Sequence, residues 1–108
     1  MNDGADGLKE AYRRRILDLL MKNPRVERVV LFGSRARGNF RPQSDIDLAL
    51  FGKALTTADL AELQSRLEET PIPQRVDLVL ASAVDSPELL HHIEKEGRIW
   101  FSRGETEE

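Results

Sequence analysis

The chain has 108 residues, a formal net charge of −3 and an apolar fraction of 40%, which suits one domain with a single modest core. It contains no cysteine, which excludes disulfides, thiolate metal sites and a cysteine nucleophile and fits a reducing, cytoplasmic setting. No apolar run approaches the ~18–20 residues that span a bilayer, and the acidic, Gly-rich start lacks the basic and apolar regions of a signal peptide.

Residues 1–7 read as a flexible N-terminus. From Leu8 to Lys22 the residues Leu8, Tyr12, Ile16, Leu19 and Leu20 recur at helical spacing, so an amphipathic helix is expected there, stopped by Asn23-Pro24. Val26 to Phe32 is rich in β-branched residues and reads as a buried strand ending at Gly33. "GSRARGNFRPQS" is too polar for a strand and is broken by Gly38 and Pro42, with a short helix expected from Gly33-Ser34. Asp45 to Phe51 predicts a second strand, closed by Gly52.

A further helix begins at Thr56, which caps it with Asp59 in the reciprocal position. Leu60, Leu63 and Leu67 form its apolar stripe, and "TPIP" at residues 70–73 ends it. Arg75 to Ala81 predicts a third strand. A last helix is punctuated by Ser86 as cap, Pro87 in the first turn and Gly97 past its end. Arg98 to Phe101 predicts a short edge strand. The expected fold is α/β (α+β), a small mixed sheet of three to four strands flanked by helices. It forms a single domain over residues 8–101, followed by a polar tail over 102–108. Strand directions do not follow from the order alone.

Chemistry concentrates between the second and third strands. Side chains alternate along a strand, so Asp45 and Asp47 share one face and Ile46 takes the other. Neighbouring carboxylates repel unless a proton or a cation intervenes, and magnesium is commonly held by one or two carboxylates plus substrate phosphates. Asp77 lies in an otherwise apolar run, where an aspartate is rare unless paired or ligated. Placed beside the second strand, it would complete three carboxylates on one face, enough for a two-metal site. Each feature alone has an ordinary structural reading: a solvated Asp-x-Asp, or an aspartate at a sheet margin paired with an arginine.

Charge is unevenly distributed. Between Lys9 and Arg41 there are ten Lys/Arg against three Asp/Glu, and from Pro42 onward six against fourteen. Gly33 and Ser34 follow a strand and open a helix, where backbone N–H groups face anions. Arg35, Arg37 and Arg41 bring charge suited to phosphate oxygens. The spacing is not that of a P-loop.

Gly33-Ser34, ten residues (Arg35 to Ser44), then Asp45-Ile46-Asp47 and a later strand Asp77 resemble the signature of the polymerase-β-like nucleotidyltransferase superfamily. "FGSRARG…SDIDLAL" is most similar to the minimal nucleotidyltransferases (MNT), often paired with all-helical HEPN proteins as toxin and antitoxin. The resemblance implies that Gly33 and Ser34 hold the β- and γ-phosphates of ATP, with Arg35 and Arg37 nearby. It also implies that Asp45, Asp47 and Asp77 ligate two Mg2+ ions, and that Asp77 helps activate an acceptor hydroxyl. The function it implies is transfer of AMP to a tyrosine of a HEPN-type toxin. The alternatives are a small-molecule (aminoglycoside-like) nucleotidyltransferase and a non-catalytic antitoxin that neutralises by binding. A glycosyltransferase does not suit so short a chain.

Other residues attract weaker readings. His91 and His92 are adjacent on a helix and do not both face one metal well. Tyr12, Trp100 and Phe101 read as core or interface. Arg13, Arg14 and Arg15 form a basic helix face, and no aromatic-basic pattern suggests autonomous nucleic-acid binding. Homo- or hetero-oligomerisation is left open.

Overall fold

The structure is a computed structural model describing residues 6–103. The expectations for residues 1–5 and 104–108 lie outside the described residues. Five segments reproduce the predicted order: α1 (Glu10–Met21), β1 (Arg28–Phe32), α2 (Ser34–Arg37), β2 (Ile46–Phe51) and α3 (Thr57–Glu68). β3 (Val76–Leu80), α4 (Pro87–Glu96) and β4 (Arg98–Ser102) complete it, with a single 3₁₀ turn at Ala81–Ala83.

Local sequence explains the ends of the two longer C-terminal helices. Thr56 accepts the Asp59 N–H while the Asp59 carboxylate accepts the Thr56 N–H, a complete capping box. Ser86 accepts the Leu89 N–H, and Pro87 occupies the first turn of α4. Gly97 has an extended backbone rather than a left-handed one. Its lack of a side chain serves close approach, because a Cβ would strike the Ile93 carbonyl and Val30.

The four strands form one mixed sheet in the order β3-β2-β1-β4. β1 pairs antiparallel with β2 and with β4, and β2 runs parallel to β3. A parallel pair needs a crossover, and α3 supplies it. The register sets Phe32 opposite Asp47 and Asp47 opposite Asp77.

Alternation along the strands divides the sheet into two faces. One carries Val29, Leu31, Ile46, Leu48, Leu50, Val76, Leu78 and Leu80, packed with Ile16 and Leu20 of α1 and Leu63 and Leu67 of α3. The other carries Val30, Phe32 and Ala49 against Ile93 of α4. Asp47 and Asp77 occupy intervening positions on this second, smaller face. Trp100 and Phe101 pack against the larger core, while Tyr12 is half-buried. No helix among the described residues is long and apolar enough to cross a membrane.

Candidate active site

β2 delivers the first two carboxylates. Asp45 is exposed just before the strand, and Asp47 is half-buried within it. β3 delivers Asp77, half-buried and directly across from Asp47 in the parallel ladder. Burial raises the Asp47 carboxyl above its ordinary pKa, and the charges of Asp77 and Asp45 raise it further. Two facing carboxylates of this kind form a hard-oxygen donor set that gains from a divalent cation. Among the described residues, no group of three such side chains forms a preformed metal cage. An open set that leaves positions for substrate oxygens suits magnesium, which keeps waters and phosphates as ligands.

The position of Asp77 depends on α3. Gln64 donates from Nε2 to the Val76 carbonyl at 2.6 Å and accepts the Leu78 N–H on Oε1 at 3.0 Å. The amide thus bonds the backbone on either side of Asp77, acting as a short extra strand at the outer edge of β3. Sequence reasoning missed Gln64, whose only signal was a polar residue among the leucines of an amphipathic helix.

The turn between β1 and α2 lies against Asp47. Gly33 has φ +80° and ψ −156°, a conformation closed to other L-residues. A Cβ there would also collide with the Asp47 carboxylate. Its carbonyl accepts the N–H groups of Ala36 and Arg37 at 3.1 Å, and its N–H donates to Nε2 of His92 at 2.9 Å. Both polar groups of Gly33 are therefore engaged inside the protein. Ser34 opens α2, half-buried; among the described residues its hydroxyl and N–H have no protein partner.

The arginines separate. Arg35, expected beside phosphate, has 0% exposure and turns away from the turn. Its guanidinium donates to the carbonyls of Asp6 (2.8 Å), Arg41 (3.3 Å), Pro42 (3.0 Å) and Ser44 (3.0 Å) and lies over the Phe40 ring. A rigid five-donor fork is well matched to several carbonyls at once. Arg35 ties down the loop that leads into Asp45, which corrects its expected role as a phosphate ligand. Arg37 is exposed and donates to Glu96 at 3.1 Å.

His92 is the second functional residue that sequence reasoning underrated. His91 is exposed, whereas His92 faces the turn. Adjacent helical residues diverge by about 100°, so only one of the pair reaches the site. A groove of about 1020 Å³ lies on the opposite side of the sheet, between α1 and α3, lined by Arg14, Arg15, Lys22, Arg25 and Arg66 among others. It contains none of the three aspartates, so chemistry rather than volume locates the candidate site.

The Gly-Ser turn and the facing strand carboxylates lie together on one face of a small mixed sheet, the arrangement that the polymerase-β-like resemblance implies. The profile of the "Polymerase beta, Nucleotidyltransferase" family matches residues 14–106, and the chain belongs to that family. A Methanocaldococcus jannaschii protein, provisionally named a protein adenylyltransferase, is 34% identical over 73 residues, covering 67% of this chain and 76% of that one. A toxin–antitoxin structure with AMP-PNP matches at TM-score 0.70 and 28% identity, over 83% of this chain and 73% of that chain. The complex of a tri-AMPylated Shewanella oneidensis HEPN toxin with an MNT antitoxin includes a chain matching at TM-score 0.67 and 25% identity, over 88% and 73% respectively.

Proposed function

We propose that residues 8–101 act as one adenylyltransferase domain that moves AMP from ATP to a tyrosine hydroxyl of a HEPN-type toxin, so that the chain serves as its antitoxin. The facing pair Asp47 and Asp77 beside the Gly33-Ser34 turn carries this reading. The M. jannaschii relative supports adenylyl transfer to protein, and the likeness to the complex with an AMPylated HEPN toxin supports the partner. The cysteine-free sequence supports a cytoplasmic setting.

Asp45, Asp47 and Asp77 are the residues assigned to hold Mg2+, in a two-ion arrangement. Bound there, magnesium supplies charge neutralisation for the attacking and leaving oxygens. Ser34 offers its hydroxyl and N–H to the β- and γ-phosphates. Asp77 receives the proton of the acceptor hydroxyl as its oxygen bonds to the α-phosphorus. The bond from that phosphorus to the bridging oxygen breaks, and pyrophosphate leaves. The protein contributes alignment and preorganised charge rather than covalent chemistry.

ATP labelled at the α- or the γ-phosphate, incubated with magnesium, this chain and a HEPN-type partner, tests the proposal. Label reaching the partner from the α-position alone is expected, and Asp45→Asn should abolish it. Label from neither position, with a tight complex still formed, would leave a binding antitoxin instead. Transfer to an aminoglycoside without any partner would make the substrate a small molecule.

A further inference from the structure

The backbone N–H of Gly33 can only donate, so the Nε2 atom that receives it carries no proton. The neutral imidazole of His92 then holds its proton on Nδ1, which lies 2.8 Å from Oε1 of Glu96. The same carboxylate oxygen accepts from Nε of Arg37 at 3.1 Å. Bonds from Arg37 and His92 hold the Glu96 carboxyl below its ordinary pKa, so it remains an acceptor at neutral pH. The His92 ring is further held edge-on to Phe32, with centroids 6.1 Å apart and planes at 74°. His92 is mostly covered, with 11% of its side chain exposed.

A single relay therefore runs from α2 through α4 and back to the turn. Arg37 and His92 converge on Glu96, and His92 receives the Gly33 N–H. Its two ends bracket Ser34, whose own donors have no partner among the described residues. The relay joins elements that no strand ladder connects. It also holds a glycine whose φ and ψ would otherwise be free to relax.

We infer that His92, in the tautomer set by Glu96, is the positioning residue that fixes the Gly33-Ser34 turn so that the Ser34 hydroxyl and N–H face the β- and γ-phosphates of ATP. The inference rests on the nucleotidyltransferase reading above. It assigns the Gly33 amide to the protein and the phosphate contacts of the turn to Ser34. It gives α4 a part in nucleotide binding, although α4 carries none of the metal-binding carboxylates.

Two substitutions separate positioning from simple packing. Gln carries its amide oxygen to the place of Nε2, while Asn reaches only the place of Nδ1. His92→Gln keeps an acceptor for Gly33, and His92→Asn removes it. Binding of AMP-PNP with magnesium is measured by calorimetry on the full chain, beside binding of AMP, with melting curves for each variant. His92→Asn should weaken AMP-PNP binding by about tenfold or more and leave AMP binding within about twofold. His92→Gln should recover most of the loss. If His92→Asn and His92→Gln both bind AMP-PNP like the parent, the inference is overturned. Tighter binding by His92→Asn would overturn it too, since the imidazole would then compete with phosphate for the Gly33 amide. Absence of AMP-PNP binding by the parent chain itself would instead remove the nucleotidyltransferase reading on which the inference rests.

Discussion

The two faces of the sheet are made by the same strands and do opposite work. Leu48 and Asp47 are consecutive in β2. Leu48 points into the core shared with α1 and α3 and is wholly buried. Asp47 points to the face that α4 covers only in part, beside Asp77 and the Gly33 turn. The covered face buries apolar surface and supplies stability. The partly open face keeps carboxylates close enough to repel, an arrangement that costs stability until a cation arrives. The alternation of one strand thus separates folding from chemistry at a spacing of one residue.

Asp47→Asn should show this division most strongly. It should reduce AMP transfer by about 10²-fold or more while raising the melting temperature, because it removes a half-buried charge that Asp77 and Asp45 oppose. A lowered melting temperature would show that the carboxylate stabilises the fold instead.

Substitutions that serve the fold should have the reverse profile. Leu48→Ala is expected to cost roughly 2–5 kcal/mol, read by chemical denaturation. Arg35→Ala should cost about 3 kcal/mol or more, since it removes a wholly buried side chain and its bonds to the buried Asp6 carbonyl and the partly buried carbonyls of Pro42 and Ser44. Arg37→Ala, at an exposed ion pair, should stay within about 1 kcal/mol. Equal effects of the two arginine changes would contradict the separation of their roles.

A finer test lies at the seam between the faces. Gln64→Leu keeps the volume on α3 but leaves the Val76 carbonyl and Leu78 N–H without their partner. Transfer should fall by roughly tenfold through a displaced Asp77, with a stability loss of about 1–3 kcal/mol.

The smallest effect is on pH dependence. Asp47 has a folded-state pKa above its unfolded one, so the folded chain binds the proton more readily. Its ionisation therefore penalises stability as pH rises through that window, and the penalty is absent below the unfolded value. Magnesium needs the carboxylate ionised. Magnesium-dependent nucleotide binding should fail, on acidification, at a higher pH than an ordinary aspartate would dictate. An affinity for AMP-PNP with magnesium that begins to fall only at or below the ordinary aspartate value, measured as the dissociation constant at each pH, would contradict the raised Asp47.

Much of this architecture was legible in the residues. The capping box at Thr56 and the Ser86-Pro87 start are short-range hydrogen-bonding rules, and both occur as expected. The apolar alternation of β2 separated Asp47 from its neighbours, and the run around Asp77 marked an aspartate out of place. What failed was side-chain direction on the helices that flank the site. Arg35 sits one residue from Ser34, yet the short helix turns it inward to the carbonyls of residues 6, 41, 42 and 44. His92 and Gly33 are 59 residues apart, and no local pattern links them.

Periodicity, capping and glycine conformations act over a few residues. The residues alone were therefore enough to set the elements, the face each strand residue takes, and the spacing of the Gly-Ser turn from Asp45 and Asp47. Long-range packing was needed for the rest: that β2 and β3 run parallel with Asp47 facing Asp77, that Gln64 braces β3, and that His92 holds the Gly33 amide. These depend on which elements become neighbours, and that is settled by the burial of whole faces rather than by any single stretch of chain.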